Sequence, residues 1–218
     1  MFEGALTESI IKRAAKKGKV DIRIHNLRDW TDDKHGKVDD KPFGGGPGMV
    51  IKPQPLFDAV DDFKKRGSRV VLMTPQGRRL DQSVAKKMSK YKHIVIVCGH
   101  YEGIDERFRE ERVTDEISLG DFILTGGEIP AMALVDSVVR LLPGVVVDEG
   151  SLEFEWFNGG LLEYPQYTRP ADFRRLKVPD VLLSGDHNKI DAWRRQMAIR
   201  RTKMRRPDMY KKIREKKR

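Results

Sequence analysis

The feature that most constrains the fold is an alternation of short β-rich runs with helical stretches. Residues 20–27 (VDIRIHNL), 68–75 (SRVVLMTP) and 93–99 (HIVIVCG) are apolar, β-branched runs, and residues 55–67 (PLFDAVDDFKKRG) and 82–91 (QSVAKKMSKY) carry helical spacing between them. Such alternation predicts an α/β fold with a mostly parallel sheet and helices on both faces. The second run closes in Thr74-Pro75-Gln76-Gly77 and the third opens into Gly99 to Gly103. Ligands of open α/β sheets gather beyond the carboxyl ends of strands, so these turns are the first place to look for a site.

A further helix is expected from Ile129 to Leu142, with Pro130 in its first turn, Pro143-Gly144 as its stop, and Asp136 and Arg140 one turn apart. Residues 147–170 lose periodicity and read as a linker. Beyond it, Asn188 to Ile199 and Asp208 to Lys217 are expected to be helical, with Asp186, Asp191 or Asp208 as caps. The expected organisation is an α/β domain over 1–146, the linker, and a small all-helical domain over 171–218.

Charge separates the two domains. The net charge of +10 resides in residues 171–218, with 17 Lys+Arg against 6 Asp+Glu, while residues 1–170 hold 26 against 27. A cationic segment of this kind suits a polyphosphate partner, because each neutralised phosphate releases condensed counterions; a solvated, solubilising surface is the simpler reading. No apolar run approaches the roughly 20 residues of a membrane span. The N-terminal residues lack a signal-peptide core, and the lone Cys98 agrees with a reducing compartment, so a cytoplasmic location is expected.

Three glycine-bearing segments could carry chemistry. Gly44-Gly45-Gly46-Pro47-Gly48, preceded by Lys37, Asp39, Asp40 and Lys41, is followed by Met49-Val50, so it is no Walker P-loop, and alone it could be a turn. Cys98 to Arg107 (CGHYEGIDER) can receive a nucleoside on backbone amides with Tyr101 lining the pocket; alternatively Glu102, Asp105, Glu106 and Arg107 only cap and solvate the next helix. Ser118 to Met132 (SLGDFILTGGEIPAM) could equally be a buried turn. His35 with Asp39-Asp40 lacks the spacing of a metal site.

Taken together and in order, VDDKPFGGGPGMV, TPQGRRLDQ, CGHYEGIDER, SLGDFILTGGEIPAM, SVVRLLPGVV, GLLEYPQYTRP and VPDVLLSGDH resemble the bacterial tRNA (guanine-N(1))-methyltransferases of the TrmD type, from Glu3 to about Pro207. That resemblance implies a SPOUT-class domain ending in a deep trefoil knot, a rare exception to unknotted chains. It implies S-adenosylmethionine (S-adenosyl-L-methionine, SAM) bound among three loops. The corresponding residues are Thr74, Pro75, Gln76 and Gly77; Gly99, Tyr101, Glu102 and Gly103; and Ser118, Leu119, Gly120, Asp121, Phe122, Ile123, Leu124, Gly126, Gly127 and Pro130. It further implies a homodimer whose active site joins these loops to the C-terminal domain of the other subunit, and an association with Mg2+ for which no protein cage is identifiable.

The reaction implied is methylation of N(1) of the guanosine at tRNA position 37, beside the anticodon. A base removes the N(1) proton while a cation stabilises the developing charge. By resemblance Arg140 is that cation, and Glu155 stands where the family usually has an aspartate, in Glu155-Trp156-Phe157 rather than Asp-Ser-Phe. Glu153 is the alternative base. For the tRNA, the resemblance points to Ser184, Gly185, Asp186 and His187, with Tyr167, Thr168 and Arg169, and Arg194, Arg195, Arg200, Arg201, Arg205 and Arg206. It also implies a β-strand and a Phe-Pro-Glu turn ahead of the Met-Phe-Glu found here, so a first strand is expected to be missing.

Two other functional classes compete. A noncatalytic RNA-binding protein of the same fold would keep the basic segment without turnover. A nicotinamide-dependent oxidoreductase would need a G-x-G-x-x-G fingerprint after its first strand, which is absent.

Overall fold

A computed structural model describes residues 1–146 and 160–216. The chain forms two compact units, Met1–Val147 and Asp148–Arg218.

The first unit is built on a three-stranded parallel sheet of β3 (Arg69–Arg79), β4 (Ile94–Cys98) and β5 (Asp115–Ser118), in the order β4-β3-β5. Side chains of β3 alternate between its two faces as a pleat requires. Val71 and Met73 pack with Ile117 under α4 (Gln82–Met88) and α6 (Glu128–Val139), through Val84, Ala85, Met88, Ala131 and Leu134. Val70 and Leu72 pack with Val97 under α3 (Pro53–Phe63) and α5 (Glu106–Arg112), through Leu56, Val60 and Phe108. Helices therefore cover both faces, as the alternation predicts. A third cluster joins α1 (Phe2–Leu6) and α2 (Ser9–Lys16) to α6 through Leu6, Ile11, Ala14 and Val139.

Three expectations for this unit need correction. Residues 20–26 form no strand and lead into a 3-10 turn at Leu27–Trp30. Val20 and Ile22 alternate because they lie along the α1–α2 cluster, which imposes a one-sided pattern without a ladder partner. The turn expected at Thr74–Gly77 is an excursion within β3: Met73 and Arg78 both register with Ile117, and pairing resumes at Arg79 with Ser118. Strand β5 itself, with only one apolar residue in Asp115–Ser118, carries too little pattern to be read from sequence. The helix expected from Ile129 to Leu142 spans Glu128–Val139 instead, and Pro130 does lie in its first turn.

In the second unit, α8 (His187–Arg205) and α9 (Pro207–Lys216) follow the short α7 (Asp180–Leu183). Of the proposed caps, Asp186 acts, accepting from Lys189 N at 3.1 Å, whereas Asp191 and Asp208 lie inside helices. Thr202, fully buried on α8, accepts from Leu162 N at 2.8 Å and donates to Ala198 O at 2.7 Å, which docks the residues before the helix onto it.

This unit is not all-helical. Strands β6 (Asp172–Phe173) and β7 (Leu176–Lys177) form a two-residue hairpin whose tip residues, Arg174 and Arg175, have φ of 54° and 66°. Two left-handed residues in succession are what a type I′ turn requires, and Asn-Gly is its usual signature. Arg-Arg gives no such signal, although Asp172 Oδ1 supports the turn by accepting from Arg175 N at 3.0 Å. Replacing the pair by Arg174→Asn with Arg175→Gly is expected to stabilise this unit by about 1–2 kcal/mol by relieving the left-handed backbone. Urea unfolding would register this as a higher midpoint, and a midpoint at or below wild type would show that the tip is not strained.

Candidate functional site

Because β3, β4 and β5 are parallel, their carboxyl ends lie at one edge of the sheet. Met73 registers with Cys98 on one side and Ile117 on the other, so the three segments that follow leave the sheet from one row. These are Thr74–Gly77, Gly99–Gly103 and Leu119–Gly127.

Glycines set how closely these segments approach. Gly127 N donates to Gly99 O at 2.8 Å, and His100 bridges Gly126 in antiparallel fashion. A Cβ on Gly127 would stand 2.7 Å from Cys98 Cα, and one on Gly77 would stand 2.5 Å from Glu116 C and Ile117 N. Both contacts are with backbone, so only glycine permits them. The seam is tightened by a contact between His100 Nε2 and Glu128 Oε1.

Other glycines leave the backbone approachable. A Cβ on Gly99 would meet only Ile104 Cγ2, at 3.8 Å, and one on Gly103 would meet nothing within 4 Å. Leu119–Gly120 are held by Ser118, whose Oγ donates to Gly120 O at 3.1 Å, and the segment then presents Phe122 and Ile123 to solvent. An approachable main chain beside exposed apolar and aromatic side chains can receive a nucleoside through backbone groups, so these residues fit a nucleoside-bearing methyl donor.

In the CGHYEGIDER segment the capping reading holds for Asp105. Asp105 caps α5, accepting from Arg107 N at 3.0 Å, and the Arg107 guanidinium holds its carboxyl below the usual carboxylate range. Glu102 does not join that cap. Its N–H donates to Met49 O at 3.1 Å, and its side chain fills the space over Gly48, where a Cβ would stand 2.5 Å from Glu102 Cγ. The glycine run of residues 44–48 therefore abuts the segment that follows β4, a juxtaposition the sequence did not disclose.

The profile of the family described as tRNA (Guanine-1)-methyltransferase TrmD matches residues 1–212. The chain belongs to this family. A tRNA (guanine-N(1)-)-methyltransferase of Geobacillus kaustophilus is 58% identical over 211 residues, covering 96% of this chain and 86% of that protein. The protein of the same name from Bacillus subtilis is 55% identical over 214 residues, covering 97% and 88% of the two chains.

Within the TrmD framework, the remaining predicted residues fall in separate places. Arg140 is the half-buried residue that ends α6, its N–H donating to Asp136 O at 3.2 Å. A helix of 12 residues sets that end roughly 18 Å from the Gly127 seam. The structure thus sets the Arg140 backbone a helix length away from Gly127. Glu155 and the alternative Glu153 lie outside the described residues.

The predicted tRNA residues all lie in the second unit. Ser184, Gly185 and His187 are exposed around the start of α8, and Arg169 and Arg200 are exposed as well. Arg194 and Arg201 also have packing roles: the Arg194 guanidinium lies 5.0 Å from the Tyr164 ring centroid, and Arg201 Nη1 reaches Glu163 O at 3.5 Å. Among the described residues, no group of three His, Cys, Asp or Glu could hold a metal ion. No helix among them is long and apolar enough to cross a membrane.

Cys98 sits in the row of strand ends but is chemically quiet. Burial, reinforced by the Glu128 carboxylate, pushes its thiol from an ordinary value near 9.0 up to about 12. Thiolate is the reactive form, so alkylation by iodoacetamide at pH 8 is expected to be about a thousandfold slower in the native protein than after unfolding. Equal rates in the two states would place Cys98 at an open surface.

Proposed function

We infer that the protein transfers a methyl group from S-adenosylmethionine to N(1) of the guanosine beside the anticodon of tRNA, acting as a homodimer in the cytoplasm. The observation that carries this reading is the seam of glycine-built segments along one row of parallel strand ends, in a chain that matches the TrmD family over nearly its whole length. SAM supplies an electrophilic methyl group when bound. Gly99, Gly103 and residues 119–124 would hold it by main-chain contacts, and Tyr101 and Phe122 would cover its apolar parts.

Glu155 would take the N(1) proton, and the Arg140 guanidinium would stabilise the negative charge that develops on guanine as nitrogen becomes nucleophilic. The length of α6 supports a site shared between subunits, because the Arg140 of one chain is too far from its own loops to serve them. Exposed Phe122, Ile123 and Ile129 are apolar surface that a second copy would cover. The trefoil knot belongs to the same reading. The basic helices of the second unit would supply phosphate contacts for affinity, leaving base identity to the loop contacts.

The test is methyl transfer from labelled SAM to unmodified tRNA transcripts, with the modified nucleoside mapped by nuclease digestion and mass spectrometry. One N(1)-methylguanosine beside the anticodon is expected, and none in a transcript with adenosine there. A folded dimer that binds tRNA yet transfers no methyl group would establish the noncatalytic alternative.

A further inference from the structure

The loop of residues 41–49 holds an aromatic ring that the fold does not use. Phe43 is fully exposed, at 101%. Single exposed apolar residues are ordinary on protein surfaces, but the setting of this one is not. It stands between Pro42 and Gly44-Gly45-Gly46, three glycines at φ of 85°, 79° and 118° with nothing within 4 Å of a Cβ on any of them. Turn chemistry accounts for the proline and the glycines; it gives no reason for phenylalanine.

The loop is pinned at its base and along its return. Strands β1 (Asp39–Asp40) and β2 (Val50–Ile51) pair antiparallel, Asp39 with Ile51 and Asp40 with Val50, and Lys52 N donates to Val38 O at 2.7 Å. On the return, Met49 O accepts from Glu102 N at 3.1 Å and Ile51 N donates to Gly103 O at 3.0 Å. The ring is therefore carried by a loop stitched to the segment after β4, whose own Tyr101 is 59% exposed at φ 58°. Lys34, Lys37 and Lys41, all exposed, lie on the same stretch of chain.

We propose that Phe43 is a stacking platform for one unpaired base of the substrate RNA, held at the edge of the methyl-donor loops by the Gly48–Glu102 contact. A solvent-facing aromatic ring with Lys41 on its own loop, and Lys34 and Lys37 on the chain leading into it, is a combination by which proteins receive splayed-out bases: the ring takes a π-face and the lysines take phosphates. Glycines on its C-terminal side leave room for the sugar and backbone of that nucleotide. This assignment rests on the methyltransferase reading above and adds to it a residue that engages the substrate RNA from the first unit.

The experiment compares full-length wild type with Phe43→Ala, Phe43→Leu and Phe43→Trp for tRNA affinity, for methyl-transfer kcat and KM, and for oligomeric state by sedimentation. Phe43→Ala and Phe43→Leu are expected to weaken tRNA binding or kcat/KM by roughly ten- to a hundredfold, and Phe43→Trp to stay within about threefold of wild type. SAM affinity and sedimentation should be unchanged in all three. A transcript carrying 2-aminopurine in the anticodon loop should be quenched by wild type and less so by Phe43→Ala. If Phe43→Leu matches wild type, the ring acts only as an apolar group and the platform is overturned. A shift in oligomeric state with RNA affinity intact would assign Phe43 to a subunit contact and also overturn it. A wild type that methylates tRNA alongside an equally active Phe43→Ala removes the platform alone; a wild type that binds no tRNA removes the methyltransferase reading with it.

Discussion

Gly127→Ala is expected to destabilise the first unit by about 3 kcal/mol or more and to abolish methyl transfer. Its φ of −78° and ψ of −5° suit any residue, so backbone conformation is not what forbids alanine there. Space forbids it: the new methyl would stand 2.7 Å from Cys98 Cα and 2.9 Å from Gly99 N. These are main-chain atoms at the end of a strand that is paired with β3, and no rotamer change can move them. Relief requires separating the start of α6 from the end of β4, which breaks the bond from Gly127 N to Gly99 O, worth about 1 kcal/mol. The loss is a large share of the roughly 5–15 kcal/mol that holds a typical domain together. Gly77→Ala, which meets Glu116 and Ile117 backbone at 2.5 Å, should behave alike, whereas Gly4→Ala, with nothing within 4 Å, is the control. Wild-type urea midpoints and turnover in Gly127→Ala would mean that the two segments do not touch.

The second large effect concerns Arg140. Its backbone N–H ends α6, and alanine keeps that bond; in Arg140→Ala turnover should fall about a hundred- to a thousandfold, the usual loss when a charge-stabilising donor is removed. Glu155→Gln should abolish turnover. Both variants should bind SAM within about twofold of wild type. Full turnover in Arg140→Ala would remove it from the reaction, and full turnover in Glu155→Gln would pass the base to Glu153.

The roughly 18 Å that α6 sets between Arg140 and the Gly127 seam makes a sharper demand. Coexpressing Arg140→Ala with Gly99→Val, which fills open space in the loop, should regenerate about a quarter of wild-type activity, since half the dimers are mixed and one of their two composite sites is intact. Activity no higher than that of the separate variants would place Arg140 and the loops of one subunit in the same site.

What the sequence disclosed follows from where its signals are strong. Strands β3 and β4 were legible because Val70 to Met73 and Ile94 to Val97 are apolar throughout, the mark of a sheet covered on both faces. Strand β5 was not, because it draws its place from register with β3 rather than from composition. The period-two pattern of Val20 and Ile22 was real but reported packing on α1 and α2, and a ladder partner leaves no separate mark. The glycine-bearing segments were legible as motifs, yet which glycines close the seam and which keep it open depends on neighbours distant in sequence. Gly77 shows the limit, because only its approach to Glu116 and Ile117 reveals why a side chain is excluded. Phe43 reads as one more apolar letter until its exposure is known.

The pairing of β3 with β5 fixes the order in which this protein can become functional as it is made. Val70 bonds to Thr114, 44 residues further along the chain, and the row Cys98–Met73–Ile117 exists only once that later strand has arrived. On the ribosome, β3 can take β4 as its partner while residues beyond 98 are still being added; the other flank waits for β5, and the Gly127 seam waits longer still. The row of strand ends and its glycine seam therefore form only late in the synthesis of their unit, and a nascent chain lacks that edge until its sheet is complete.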